Sequence, residues 1–186
     1  MNEDLTNDLP DGIRKLSLKQ ISDSRGSLME IYRAEWFADA PFALQWNVNF
    51  NKSGTFRGFH VHWAHDDFLC AISGKLHLGL QDMRPWSPTY EMAVLTTLNA
   101  EKPELIHIPP GIGHGFWYDQ EAIHIYGVSE YWNPHDELAC RWDDKDIKVP
   151  WPFTEPAMLS EKDQKAGTYE QMKTSLLSQL MPPTST

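Results

Sequence analysis

Histidine is concentrated in the middle of this sequence, where the spacing suggests chemistry. Six of the eight histidines lie on segments with a strand-like pattern or on the turns that end them: His60, His62, His77, His107, His114 and His124. A lone strand histidine is usually structural, but His60 and His62 are two residues apart and share one strand face. Burying several imidazoles around one interior is costly unless they serve a purpose. Proton transfer and metal binding are the purposes that suit imidazole near neutral pH.

Two short motifs carry the spacing of metal ligands. The segment GFHVHWAHDDFLCAISG contains His60, His62 and Asp67, and the segment PPGIGH ends in His114. Together they resemble the two motifs of the cupin superfamily, a small jelly-roll barrel, with Asp67 where that motif usually has glutamate. In metal-binding cupins these positions hold one divalent ion, and three imidazoles with a carboxylate suit Fe, Mn, Ni or Zn. Many cupins hold no metal, so both alternatives stay open at this point.

The segments that carry these residues are short strands separated by turns. Leu76, Leu78 and Leu80 alternate with polar or small residues, a period of two that predicts a strand. Only 160–180 predicts helix, with Gly167 as a candidate break. We therefore predict an all-β fold, a cupin jelly-roll barrel with a C-terminal helical segment. The predicted strands are 27–33, 43–50, 55–62, 67–72, 75–83, 90–98, 104–109 and 122–132.

Length and charge limit the remaining classes. The chain has 186 residues, which suits one domain, with 1–12 as a loose N-terminal arm and 13–186 as a domain whose helical tail begins near 160. A net charge of −10 argues against nucleic-acid and anionic-membrane surfaces. The polar N-terminus does not resemble a signal peptide, and Cys70 and Cys140 do not form a CxxC motif. We expect a cytoplasmic protein with reduced cysteines.

A longer resemblance covers nearly the whole chain, from about residue 13 to 165. Eight segments in order resemble the dTDP-4-dehydrorhamnose 3,5-epimerase family, whose members are cupins. The resemblance implies an isomerase that epimerises a nucleotide sugar in the dTDP-rhamnose pathway of carbohydrate biosynthesis, and it implies a homodimer. The segments are DSRGSLMEIY, QWNVN, FRGFH, DMRPWSPTY, IPPGIGHGF, YGVSEYWNP, RWDDKDIKVPWP and LSEKD.

The resemblance assigns catalytic roles to three residues. Epimerisation next to a ketone requires a base on one face of the sugar, an acid on the other and stabilisation of the enolate between them. By resemblance, His60 in RGFH is the base and Asp163 in SEKD orients it. Tyr126 is the acid that returns a proton from the far side.

The resemblance also implies a set of substrate-binding residues. These residues match family positions that hold the nucleotide sugar, and Arg57 is suited to bidentate binding of a diphosphate. His114 matches a family histidine near the active site, where a structural role is equally compatible with the sequence. The set is Arg25, Glu30, Gln45, Asn47, Arg57 and His114.

One departure from the family pattern leaves three hypotheses. The family's active-site lysine, which supplies positive charge near the enolate, aligns with Asp67. The first hypothesis is an epimerase, acting at both carbons or one, that needs no cofactor and uses His62 in place of the lysine. The second is a metal-dependent cupin with His60, His62, Asp67 and His114 as ligands. The third is a protein that binds a sugar nucleotide without turnover.

Overall fold

The computed structural model describes residues 2–156 and 158–180, and this part of the chain consists mainly of antiparallel β-strands. A 3-10 turn at Ala34–Phe37 lies between the third and fourth strands. In chain order the strands and helices are β1 (Arg14–Ser17), β2 (Gln20–Asp23), β3 (Gly26–Met29), β4 (Gln45–Asn51), β5 (Thr55–Val61), β6 (Asp67–Ser73), β7 (Lys75–Asp82), β8 (Ala93–Asn99), β9 (Glu104–Ile108), β10 (Ile112–Tyr118), β11 (Ala122–Val128), β12 (Leu138–Ala139), α1 (Glu161–Gln164) and α2 (Tyr169–Leu180).

The strands form two five-stranded antiparallel sheets and a separate β2–β3 hairpin. The first sheet has the order β1-β9-β6-β11-β4 and the second has the order β12-β5-β10-β7-β8. Strands far apart in sequence lie side by side in both sheets, which is the connectivity of a jelly roll and not of a simple meander. The predicted all-β jelly-roll fold is confirmed, as is the helical segment at its C-terminal end.

The alternation of side chains on β5 and β7 separates the core from the cavity. Leu76, Leu78 and Leu80 are completely buried, as their period-two pattern predicts. On β5, Phe59 and Val61 turn to the other face, where they pack against α2. The residue between them, His60, therefore points to the opposite side of the sheet, into the space between the two sheets.

The C-terminal tail forms two helices instead of one. Ser160 caps α1 by accepting a hydrogen bond from the backbone N–H of Asp163 at 3.0 Å. Gly167 lies between the helices, so the break expected at this glycine is present. Tyr169 and Leu176 of α2 are buried against the outside of the second sheet. In this way α2 anchors the tail, and α1 brings Asp163 to the edge of β5.

Two features of the fold differ from the sequence-based prediction. The glycine-rich segment IPPGIGHG reads as a turn, but Ile112–Tyr118 is the central strand β10. Its glycines make room for aromatic rings, because a Cβ at Gly113 would lie 2.5 Å from the ring of Phe59. The proposed loose arm is also partly ordered, since Leu5 donates a backbone hydrogen bond to Lys15 and Pro10 is buried. None of the helices that the structure describes has the length and apolar character of a membrane-spanning segment.

Candidate active site

A cavity of about 580 Å³ opens between the two sheets, a size typical of small-molecule sites. Both sheets contribute polar side chains to its wall, and α1 and the loop before β12 close one side. Among the residues that the sequence assigned to the site, the cavity brings together Asn47, Arg57, His60, His62, Asp67, His114, Tyr126 and Asp163.

His60 is paired with the carboxylate that the resemblance assigns to it. The Nε2 atom of His60 lies 2.7 Å from Oδ1 of Asp163, although the two residues are 103 positions apart. Burial alone would raise the pKa of Asp163, but hydrogen bonds from His60 and Ser160 outweigh it and hold the pKa below its ordinary value. Asp163 is therefore an ionised acceptor that fixes the orientation of the imidazole.

A second carboxylate, which the sequence did not reveal, faces the other nitrogen of His60. Oε1 of Glu137 lies 3.2 Å from Nδ1 of His60, and Lys162 places its ammonium 2.7 Å from the same oxygen. Burial favours the neutral form of Glu137, but the charges of His60 and Lys162 outweigh it and lower the pKa of Glu137. Two carboxylates thus flank His60, an arrangement that stabilises an imidazolium.

Tyr126 faces the cavity from the other sheet. It lies on β11, paired with Asn47 of β4 and Leu69 of β6, whereas His60 lies on β5. Burial and the nearby carboxylates of Asp67 and Glu137 raise the pKa of Tyr126 above its ordinary value. The phenol consequently keeps its proton at neutral pH and can act as an acid.

Arg57 reaches the cavity from β5 and is fixed by neighbouring strands. Its Nε atom donates to Oδ1 of Asn51 at 2.7 Å, and the Asn51 amide contacts His124. Burial and the adjacent Arg57 charge lower the pKa of His124 to about 3, so this histidine is a neutral hydrogen-bonding residue. Gly58 follows Arg57 with a φ of +119°, and a Cβ there would lie 2.9 Å from the Gly115 Cα atom. A glycine is needed where β5 passes so close to β10.

A group of three histidines surrounds Asp67 inside the same cavity. The Nε2 atoms of His62, His65 and His114 lie 3.8, 3.8 and 4.0 Å from Oδ2 of Asp67. Burial raises the pKa of Asp67 to about 7 and lowers the pKa of His114 to about 4. We call these four residues, His62, His65, Asp67 and His114, the histidine cluster.

The cluster differs from the ligand set that the sequence suggested. Among the described residues, two groups lie close enough together to hold a metal ion, one formed by His62, Asp67 and His114 and the other by His62, His65 and Asp136. Neither group includes His60, which Asp163 and Glu137 hold. His65 is fixed by Asp136, which lies 2.5 Å from its Nδ1 atom. The signal for His65 was present in the sequence, as the third histidine of HVHWAH, but nothing in the sequence pointed to Asp136.

Several other predicted site residues lie outside the cavity of a single chain. Arg25 is exposed on the β2–β3 hairpin and pairs with Asp23 at 2.6 Å, and Glu30 pairs with Arg33. Gln45 accepts a hydrogen bond from the backbone of Trp132 at the cavity edge. His77 and His107 also lie outside the cavity, where they contact Asp119 and Asp66.

The fold is a jelly roll whose cavity has an imidazole–carboxylate pair on one wall and a phenol on the other. These are the groups that a cupin-type acid–base enzyme uses. Comparison with known proteins leads to the same class. The model of the family described as dTDP-4-dehydrorhamnose 3,5-epimerase matches residues 9–171, and the chain belongs to that family.

Individual relatives agree with this assignment. The chain is 32% identical over 176 residues to a dTDP-4-dehydrorhamnose 3,5-epimerase of Neisseria gonorrhoeae, a match that covers 91% of this chain and 53% of that protein. This chain therefore spans about half the length of that relative. The epimerase of Pseudomonas aeruginosa is 31% identical over 154 residues, with 79% of this chain and 85% of that protein covered. The crystal structure of the Bacillus anthracis epimerase with TDP and PPi bound has a TM-score of 0.82 at 25% identity, covering 90% of this chain and 99% of that one.

Proposed function

We propose that the protein epimerises a dTDP-linked 4-keto-6-deoxy sugar by removing a proton next to the ketone and returning one from the opposite face. The observation that carries this proposal is the position of His60, paired with Asp163, across one cavity from Tyr126. Family membership and the TDP bound to the B. anthracis relative support a thymidine diphosphate as the carrier.

The tautomer of His60 follows from its contacts. Because the ionised Asp163 accepts from Nε2, the neutral form of His60 that acts as the base carries its proton on Nε2 and its lone pair on Nδ1. Nδ1 faces Glu137 at 3.2 Å, so the sugar must enter between Nδ1 and this carboxylate for Nδ1 to take the carbon-bound proton. Once His60 is an imidazolium, both Asp163 and Glu137 face an N–H group and stabilise its charge. The two carboxylates therefore favour transfer of the carbon-bound proton to His60.

Tyr126 completes the exchange from the other wall. After proton removal the electron pair is delocalised onto the ketone oxygen as an enolate. The Tyr126 phenol donates its proton to the same carbon from the opposite side, which inverts the configuration. Solvent then removes the proton from His60 and restores the one on Tyr126, so no oxidant or reductant is consumed.

Arg57 supports binding of the diphosphate. Its guanidinium projects into the cavity and is oriented by Asn51, so it can bind phosphate oxygens with little loss of side-chain entropy. Asn47 of β4 lines the opposite wall, beside Tyr126, and offers an amide to sugar hydroxyls.

Hydrogen exchange with solvent tests this function directly. Incubation with a dTDP-4-keto-6-deoxy sugar in deuterated buffer should introduce deuterium at C3, at C5 or at both, as measured by NMR. The position of the label distinguishes a single-carbon from a two-carbon epimerase. A matched control is His77→Gln, a histidine outside the cavity, which should exchange at the wild-type rate. A folded protein that binds dTDP but exchanges no hydrogen of any such sugar would support the binding-protein alternative instead.

We propose that the active form is a homodimer. The side chains of β4 alternate in the reverse of the usual order, with polar residues facing inwards and apolar residues facing outwards. Trp46, Val48 and Phe50 are 38%, 49% and 74% exposed. A continuous apolar face on the outside of a sheet is suited to pairing with a second copy. The β2–β3 hairpin forms a sheet of its own with Arg25 exposed, which leaves it available for contact with a second copy. Light scattering should give twice the 21.4 kDa chain mass, and Phe50→Asp should shift the protein to monomer.

We propose a cytoplasmic location, supported by the two buried free cysteines, Cys70 and Cys140. Cell fractionation with antibody detection tests it, and recovery from a secreted or membrane fraction would contradict it.

A further inference from the structure

Asp67 is a buried carboxyl group that makes no hydrogen bond with any of the described residues. Only 5% of the residue is exposed, and burial is the main influence on its side chain. The Nε2 atoms of His62, His65 and His114 lie 3.8, 3.8 and 4.0 Å from its Oδ2 atom, beyond the roughly 3.2 Å limit of an N–H···O bond. A buried polar group without a partner costs free energy, so its presence in a cavity points to a ligand that supplies the partner.

The other carboxyl groups in and around the cavity have close partners. Asp163 lies 2.7 Å from Nε2 of His60, and Glu137 lies 2.7 Å from a lysine ammonium. Asp136 accepts two backbone hydrogen bonds, at 2.9 and 3.0 Å. Asp67 differs from all three, and it lines the cavity, from which a ligand can approach it.

The register of the sheet places Asp67 beside the proposed acid. Tyr126 of β11 pairs with Leu69 of β6, and Asp67 lies two residues before Leu69 on the same strand. Residues two apart on a strand share one face, and diagonal neighbours on antiparallel strands lie about 7–8 Å apart. The charge of Asp67 is also one of the causes that raise the pKa of Tyr126. The two side chains therefore stand next to each other on the wall opposite His60.

The chemistry of a carboxyl group limits what it can bind at this place. Asp67 aligns with the family's active-site lysine, so a group that accepts hydrogen bonds stands where the family has a donor. A carboxylate repels a ketone oxygen, which can only accept hydrogen bonds. A hydroxyl group donates to a carboxylate and accepts from a carboxylic acid, so it suits both forms of a group whose pKa burial raises to about 7.

We propose that Asp67 binds the C2 or the C3 hydroxyl of the sugar and makes the enzyme specific for nucleotide sugars that retain this hydroxyl. The inference rests on the proposed epimerase function, which supplies the class of sugar. In a 4-keto-6-deoxyhexose linked through C1, only C2 and C3 carry free hydroxyl groups. A deoxy analogue leaves Asp67 buried and unpaired in the complex, so the site discriminates against it.

Deuterium exchange with matched sugars tests this specificity. The probes are a dTDP-4-keto-6-deoxyhexose and its 2-deoxy and 3-deoxy analogues, with kcat/KM for exchange measured by NMR. Wild-type protein should favour the parent sugar over one of the analogues by about 50-fold, the order expected for a hydrogen bond to a charged group. Asp67→Ala should reduce this preference to about threefold or less, and Asp67→Asn, which still forms a neutral hydrogen bond, should keep about tenfold. The control Asp119→Asn, which changes a carboxylate outside the cavity, should discriminate as wild type does.

Stability gives a second readout, which separates ligand binding from a structural role. Because the carboxyl group of Asp67 is buried without a partner, Asp67→Ala and Asp67→Asn should keep or raise the midpoint of urea unfolding. A lower midpoint in both variants would show that Asp67 supports the fold, which would contradict the inference. Circular dichroism checks that each variant is folded.

The outcomes separate this inference from the proposed function. Equal kcat/KM values of wild-type protein for all three sugars overturn the inference, as does a preference that Asp67→Ala retains in full. Both results leave the epimerase function intact. If no sugar exchanges hydrogen, the epimerase function fails, and the calorimetric affinities of wild-type and Asp67→Ala protein for the same three sugars decide the inference by the same ratios.

Discussion

Two groups of histidines and carboxylates share one cavity and differ in how the two kinds of side chain meet. His60 lies 2.7 Å from Asp163, close enough to share a proton. In the histidine cluster, the Nε2 atoms of three imidazoles stand 3.8–4.0 Å from one oxygen of Asp67, beyond hydrogen-bonding distance. The first geometry suits moving a proton, whereas the second contains no direct hydrogen bond between an imidazole and Asp67.

Two histidines separated by a single residue, His60 on β5 and His62 directly after it, have different partners in this cavity. His60 and His62 are two residues apart and both line the cavity. Asp163 of α1 and Glu137 of the loop before β12 contact His60, while His62 turns towards His65 and His114. The sequence left a free base and a metal ligand as competing roles for His60. In the structure His60 contacts Asp163 and Glu137, and it is absent from both groups of described residues that could hold a metal ion.

The largest loss of activity is expected when the base alone is removed. His60→Asn should lower epimerisation and deuterium exchange by about 10³- to 10⁴-fold, because general-base catalysis is lost. NMR of the sugar in deuterated buffer measures both rates, and circular dichroism checks the fold of the variant. Exchange at the wild-type rate by folded His60→Asn would show that His60 is not the base.

Tyr126→Phe should separate proton removal from proton return. We expect inversion of configuration to fall by about 10²- to 10³-fold, since the acid on the far wall is gone, while exchange of the abstracted proton through His60 continues. The raised pKa of Tyr126 has a further consequence in the wild-type protein. The phenol loses its proton only above its ordinary pKa of 10, so any loss of rate due to Tyr126 should begin above that pH and be absent from the residual exchange of the variant. Equal losses of inversion and exchange would contradict a one-sided role for Tyr126.

The fold could be predicted largely from local patterns, and the exceptions have physical causes. Strands with alternating leucines, such as β7, carry their own signal because one face is buried and the other is not. β10 was missed because its glycines look like a turn, and only the aromatic rings of β5 that fill the space explain them. The inverted pattern of β4, polar inwards and apolar outwards, makes sense only once a polar cavity lies on its inner side.

The site shows a sharper limit on sequence reasoning. His60, Tyr126 and Asp163 were available from family resemblance, and the structure brings all three to one cavity. Glu137 and Asp136 were not, because they act from a loop some 70 residues away along the chain and no spacing rule connects them to their partners. Such contacts depend on how two sheets and a loop come together in three dimensions.

The smallest effect that we expect is on the free energy of unfolding, through the ionised carboxylate of Asp163 that holds His60. Its pKa is lower in the folded protein than its ordinary value, so the folded state binds its proton more weakly than the unfolded state. The ionised carboxylate therefore stabilises the fold at pH values above about 4, and this contribution is lost as the pH falls through the depressed pKa. Asp163→Asn should lower the free energy of unfolding at pH 7 by about 2 kcal/mol, the order expected for a charged partner in a buried hydrogen bond. Urea unfolding of both proteins should show this difference narrowing below pH 4, and a gap that is constant from pH 7 to pH 3 would show that the charge of Asp163 does not stabilise the fold.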